Sequence, residues 1–143
     1  MATQSYQNHT QRVAGFLAVA FVLVLVFIGS GVNLYRSIGD HQRLYSAALV
    51  LVLTGCVLVV GSYARTFALK AQDRAIRAEE ALRHFILTGK PLDSRLTVGQ
   101  VIALRFASDD EFPALATRAA EHVTTPDEIK KSIKYWRADT HRV

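Results

Sequence analysis

Residues able to do chemistry are scarce in this chain, and none stands in a spacing that chemistry uses. The five histidines, His9, His41, His84, His122 and His141, are scattered along 143 residues. They form no HExxH and no paired Cys/His pattern, so no zinc set is expected and they read as surface or interfacial side chains. Cys56 is the single cysteine, which excludes an internal disulfide; with no basic neighbour to activate its thiol, it reads as a small apolar packing residue. The acidic run Asp109, Asp110, Glu111 lacks the alternating ligands and glycine of a calcium loop, and at a helix start it would complement the helix dipole. P-loop, dinucleotide fingerprint and nucleophile elbow are all missing from the sequence. The expectation is a non-enzymatic chain with no catalytic residue, no metal, no cofactor and no small-molecule substrate.

The charge pattern gives one further candidate surface. A net charge of +5 is spread along the chain, without the lopsided basic footprint that nucleic acid requires. Lys130, Lys131, Lys134 and Arg137, with Trp136 close by, would form a basic face on a last helix. That face suits anionic lipid or a partner, with the indole at the interface; an ordinary solvated face is the alternative. A helix-turn-helix reading of the last helices is weakened by the acidic residues between Asp109 and Glu121.

The elements that must carry these residues begin with two apolar blocks. Val13 to Tyr35 and Leu44 to Ala64 contain no charged residue, and each is long enough as helix to cross a hydrocarbon core of about 30 Å. A cleaved signal peptide is the competing reading of the first block, but such peptides carry a shorter apolar run and a stronger basic start. The connection Arg36 to Arg43 is short and contains Gly39 and Asp40, which predicts an antiparallel hairpin with an external turn. Gly29, Ser30 and Gly31 on one side and Ser46, Ala47 and Ala48 on the other would allow close approach near the turn. Arg65, Lys70, Arg74, Arg77 and Arg83 follow the second block and Arg12 precedes the first, so the positive-inside rule puts both termini in the cytoplasm. A proton or ion pathway would need ionisable groups at membrane depth, and these blocks have none.

The second block should not end at Ala64. Arg65 to Leu87 lacks Gly and Pro and is rich in good helix formers, predicting one long helix that stops at Gly89 and Pro91. Along the extension Ala68, Ala71, Ala75, Ala78, Leu82 and Phe85 recur at alternating spacings of three and four, the seam of a coiled coil. One reading is dimerisation; the other, favoured because fewer than three heptads are present, is cover by the chain's own later helices. On either reading Ala75→Glu should disturb tail packing or association. Asp73 with Arg77 and Glu79 with Arg83 are expected as i,i+4 pairs. Thr97 with Gln100, Ser108 with Glu111, and Thr125 with Pro126 and Glu128 mark three helix starts, predicting helices over about 98–107, 109–123 and 126–139. Their apolar faces are Val98, Val101, Ile102 and Phe106; Phe112, Leu115, Ala119 and Val123; and Ile129, Ile133 and Trp136.

The fold class that follows is an all-α membrane protein: a transmembrane hairpin, its second helix extended into the cytoplasm, plus a small C-terminal helical module. Its segments are a cytoplasmic stretch 1–12, spans 13–35 and 44–64 with turn 36–43, an extension 65–89 and the module 90–143. The runs Gln4-Ser5-Tyr6-Gln7-Asn8-His9, Ala71-Gln72-Asp73-Arg74-Ala75-Ile76-Arg77, Ile102-Ala103-Leu104-Arg105-Phe106-Ala107-Ser108-Asp109, Pro126-Asp127-Glu128-Ile129-Lys130-Lys131 and Trp136-Arg137-Ala138-Asp139 resemble a family of bacterial two-span membrane proteins catalogued as a domain of unknown function. The resemblance implies bacterial origin and an inner-membrane location, and brings no activity with it. A membrane-anchored interaction or accessory protein is the functional expectation, with membrane lipid and a protein partner or second copy as its company; a component of a transporter or a homo-oligomeric pore is the alternative.

Overall fold

In the computed structural model residues 5–7 and 13–139 are described. Arg12, His9 and His141, and with them most of the expected segment 1–12, lie outside the described residues. Five helices and no strand occur among those described: α1 Ala14–Arg36, α2 His41–Thr88, α3 Val98–Leu104, α4 Phe112–His122 and α5 Pro126–Ser132. The chain divides into two compact units between Ala68 and Leu69, and the short N-terminal segment groups with the second.

The first unit is α1 with the early part of α2. The turn between them is tighter than expected, because side chains on both sides close it. Ser37 ends α1 by donating its hydroxyl to the Asn33 carbonyl at 2.8 Å. Gly39 takes the left-handed φ of +102° that a side chain would resist. Asp40 then accepts the Gln42 and Arg43 amides at 3.1 and 3.3 Å, capping α2 from the residue just before it.

Three contacts set the helices antiparallel: the Ser30 and Thr54 hydroxyls at 3.4 Å, Phe27 against Gly55, and the Arg65 guanidinium over the Phe16 ring at 5.4 Å. At Gly55 an added Cβ would come within 3.3 Å of the Phe27 ring, so close approach occurs there. Of the small residues expected near the turn, Ser30 and Ala47 are buried, whereas Gly29 and Gly31 meet open space. Both helices are long and apolar enough to cross a membrane, and only 6 % of each apolar window is buried within the chain. Cys56 is exposed on this outward surface and packs nothing inside, contrary to its expected role.

Helix α2 runs for 48 residues without a break and stops where its sequence says it should. Gly89 adopts φ +68° and its amide closes on the Phe85 carbonyl at 2.8 Å, the left-handed helix end that glycine permits. No glycine or proline interrupts Ser62 to Thr88, so propensity and hydrogen bonding carry the helix through.

In the second unit two of the three expected helix starts are reciprocal capping boxes. Thr97 and Gln100 close α3, and Thr125 and Glu128 close α5, each hydroxyl accepting the third amide while the partner side chain returns to the cap amide. The box expected at Ser108 does not form. Glu111 points its carboxylate at the amides of Lys134 and Tyr135, 3.2 Å from each, so α4 begins later, at Phe112. The same contacts shorten α5. Its chain leaves the helix at Ile133 and runs extended, with the Ser108 amide on the Tyr135 carbonyl at 3.1 Å and the Arg137 amide on the Phe106 carbonyl at 2.7 Å.

The core of this unit is Leu96, Val101, Leu104, Phe106, Phe112, Leu115, Ile129 and Ile133 with five alanines, and Leu92 and Trp136 pack against it. Gln100 is buried within it, yet its amide donates to the Thr124 carbonyl at 2.8 Å, which offsets the cost of desolvation. Val123, expected on the apolar face of α4, is 79 % exposed in the left-handed conformation at the helix end. It occupies the position glycine usually takes, and that terminating turn swings it away from the core.

Candidate interaction surface

The second half of α2 presents two faces of different chemistry. Ile76 and Glu80 are 8 % and 5 % exposed, and the Arg83 side chain only 11 %, so the face spaced 76, 80, 83 is the one the later helices cover. Arg83 is its anchor. The guanidinium donates to Glu80 at 2.9 Å, to Asp109 at 2.7 Å and to the Ala107 carbonyl at 2.7 Å, and lies 4.6 Å from the centre of the Phe112 ring. Arg137 lies 3.8 Å from the other carboxylate oxygen of Glu80, and His84 meets Phe112 edge-on.

The expected Glu79–Arg83 pair is replaced by Glu80–Arg83, Glu80 being the buried one of the two carboxylates, and no ion pair joins Asp73 to Arg77. Sequence periodicity overlooked Glu80 and Arg83 as docking groups, since a search for apolar spacing passes over charge. Asp109, expected to serve the α4 dipole, instead receives Arg83.

The seam lies on the other side of the helix. Ala68, Ala71, Ala75, Ala78, Leu82 and Phe85 are all exposed, Leu82 at 60 % and Phe85 at 54 %. Cover by the chain's own helices is thereby overturned. The Ala107 carbonyl and the Asp109 carboxylate both need a donor, which Arg83 supplies and the alanine side of α2 cannot offer. Ala75 is exposed at the rim of the cavity beside Arg105 and Arg137, so Ala75→Glu should leave the buried core of the module intact. Beside the seam Ile86 is 72 % exposed, continuing the apolar stripe.

The second expected surface is not brought together. With α5 ending at Ser132, Lys130 and Lys131 stand on the helix while Lys134, Trp136 and Arg137 follow in extended chain. Trp136 is half-buried, its ring 5.1 Å from Phe106, and so belongs to the core rim. Lys131 pairs with Asp127 at 2.7 Å and lies over the Tyr6 ring, while Arg137 turns towards Glu80. A single helical basic face was expected because no glycine or proline announces the end of α5.

Tyr6 donates its hydroxyl to Asp127 at 2.8 Å, joining the segment before α1 to the helix that closes the module. That hydrogen bond raises the tyrosine pKa, and Lys131 and Tyr6 together lower that of Asp127. Asp93 is held at about 2 by the Arg95 side chain and amide, and Glu128 is lowered by the Thr125 amide it accepts. These carboxylates have folded pKa values below their ordinary ones. Their contribution is complete above the ordinary carboxylate range and is lost as pH falls through the lowered values. Unfolding of the module followed by the single tryptophan should thus show a falling midpoint between about pH 5 and pH 2. Glu128→Gln, which keeps the box oxygen but cannot titrate, should shrink the fall; an unaltered acid slope would remove Glu128 from the account.

A cavity of about 380 Å³ lies between this part of α2 and the closing segment, lined by Gln72, Ile76, Glu80, Arg105, Arg137 and Asp139. Its charges answer one another, Arg105 with Asp139 at 3.1 Å and Arg137 with Glu80, which is the pattern of a structural clasp. No group of three or more His, Cys, Asp or Glu side chains that could hold a metal occurs among the described residues.

Fold and surface together define an all-helical protein with two helices apolar and long enough to cross a membrane, and a docked module that leaves one helical stripe open. The chain belongs to a family of unknown function, DUF6526, whose pattern it matches over residues 1–143. No curated protein and no solved structure matches it.

Proposed function

We propose that this chain is a membrane-anchored interaction or accessory protein of the bacterial inner membrane. Helix α1 and the first part of α2 cross the bilayer as a hairpin with both termini in the cytoplasm, and the rest of α2, braced by the module, presents an apolar stripe to a partner. The observation that carries the reading is the choice of docking face: the module takes the Glu80 and Arg83 side and leaves the side chains of Ala71, Ala75, Ala78, Leu82, Phe85 and Ile86 exposed.

Membrane insertion is supported by the outward apolar surface of the first unit. Phe21, Val22, Leu25, Ile28, Val52, Leu53 and Val60 are each more than half or nearly two-thirds exposed, far beyond the patch a water-soluble chain normally leaves open. The basic residues following the second block favour the cytoplasmic side for the module. Contact between Tyr6 and Asp127 fits a chain whose ends lie on one side.

The test is photocrosslinking in intact membranes, with the reactive residue at Leu82 or at Ile76. A discrete product from Leu82 and none from Ile76 is the expected result, in protein that stays with the membrane on alkaline extraction. Release into the supernatant would overturn the anchoring, and no product from Leu82 would overturn the interaction surface.

A further inference from the structure

We propose that the occupant of the open stripe is a second copy of this chain, packed in parallel along α2 from Ala71 to Ile86. The inference rests on the interaction reading above and names its partner.

Apolar spacing assigns heptad positions: Ala75 and Leu82 fall at a, and Ala71, Ala78 and Phe85 at d. Ile76 and Arg83 then fall at b, Glu80 at f and His84 at c, which are the outward positions of a coiled coil. The module docks on these positions, so the chain's own packing occupies the back of the helix; the seam side chains stay exposed, with Ala75, Leu82 and Phe85 at the edges of grooves beside the module.

Flanking charge selects the occupant. Among the e and g positions from Gln72 to Ile86, only Arg74 at g and Glu79 at e are charged. In a parallel pair in register, a g residue faces the e residue five positions further along the other helix. Arg74 of one copy thus faces Glu79 of the other, and two-fold symmetry repeats the pair. Both residues are exposed, and neither is in an ion pair within the described chain. At the next heptad Ala81 meets Ile86, an apolar match beside Leu82 and Phe85.

Parallel packing is also what two hairpins of one topology in one membrane can reach. The stripe covers about 22 Å of helix, too short for a tight dimer in water, but a shared membrane raises the local concentration of the second copy. Alanine at three of the five seam positions permits close approach, near the lower end of the usual 8–10 Å interaxial range.

The experiment uses the full chain with Cys56→Ser, reconstituted in lipid vesicles. On mild oxidation Ala75→Cys and Ala78→Cys should give disulfide-linked dimer, while Ile76→Cys should not. Arg74→Glu should weaken self-association roughly five- to tenfold, read by energy transfer between labelled copies, and adding Glu79→Arg should restore it. Equal crosslinking at Ala75 and Ile76, or a charge swap that fails to rescue, would overturn the proposal. If Leu82 in native membranes captures a different protein while vesicles hold only monomer, self-association falls and the interaction surface stands. With no product in either setting, both fall.

Discussion

Replacing Arg83 with alanine should lower the stability of the helical module by about 3–5 kcal/mol, the loss expected when one partner of a buried ion pair is removed. The change strands Glu80, whose side chain is 7 % exposed and whose remaining cation, Arg137, stands 3.8 Å away. It also removes the donors to Asp109 and the Ala107 carbonyl, and the cation over the Phe112 ring. Trp136 is the only tryptophan and sits in the module, so its emission reports this unit and leaves the apolar helices silent. A drop of under about 1 kcal/mol would mean that the clasp is solvated and weak.

The paired variant Glu80→Gln with Arg83→Met separates charge from shape. It leaves no stranded ion and keeps most of the buried volume, so it should cost clearly less than Arg83→Ala alone. If the pair costs as much as the single change, then packing against Phe112, and not the ion pair, holds the module to α2.

The contrast between these faces explains what the sequence could disclose. The length of α2 and its end at Gly89 were readable because helix propensity and a left-handed glycine act within a few residues. For the same reason Thr97 with Gln100 and Thr125 with Glu128 announced α3 and α5. Ser108 with Glu111 carries the same signature and failed, since its carboxylate satisfies amides more than twenty residues away. No local pattern records that competition. The end of α5 was hidden likewise: Ser132 to Trp136 holds no helix breaker, and what straightens it is pairing with Phe106 to Ser108. The heptad seam was legible as a seam, but which face the module would take was not. An apolar periodicity weights Ala75 and Leu82 and ignores Glu80 and Arg83, although a charged cluster closed by a carbonyl and two carboxylates fixes orientation more firmly than small alanines do. The candidate surface was thus visible in outline, and its freedom became visible only with the docking of the module.

Phe106→Ala should be as costly as the loss of Arg83, about 3–5 kcal/mol, by a different route. The ring is 1 % exposed, one residue past the end cap of α3, with Trp136 5.1 Å away and the Arg105 guanidinium 4.5 Å from its centre. Its carbonyl accepts the Arg137 amide, so the residue joins the apolar core to the extended closing segment. A cavity there would loosen Trp136 and shift its emission to the red before melting, and the midpoint should fall by about 10 °C or more. Phe85→Ala is the informative partner: that ring is 54 % exposed on the seam and is not among the buried core residues, meeting the module only along an open groove beside Leu92 and Leu96. It should leave the melting midpoint within about 2 °C of the parent while weakening dimer formation in vesicles. Two phenylalanines of one compact unit would then report two different surfaces. Equal destabilisation by both changes would show that the stripe is held by its own chain, and a stable Phe106→Ala protein with unmoved Trp136 emission would show that the closing segment stands without that core.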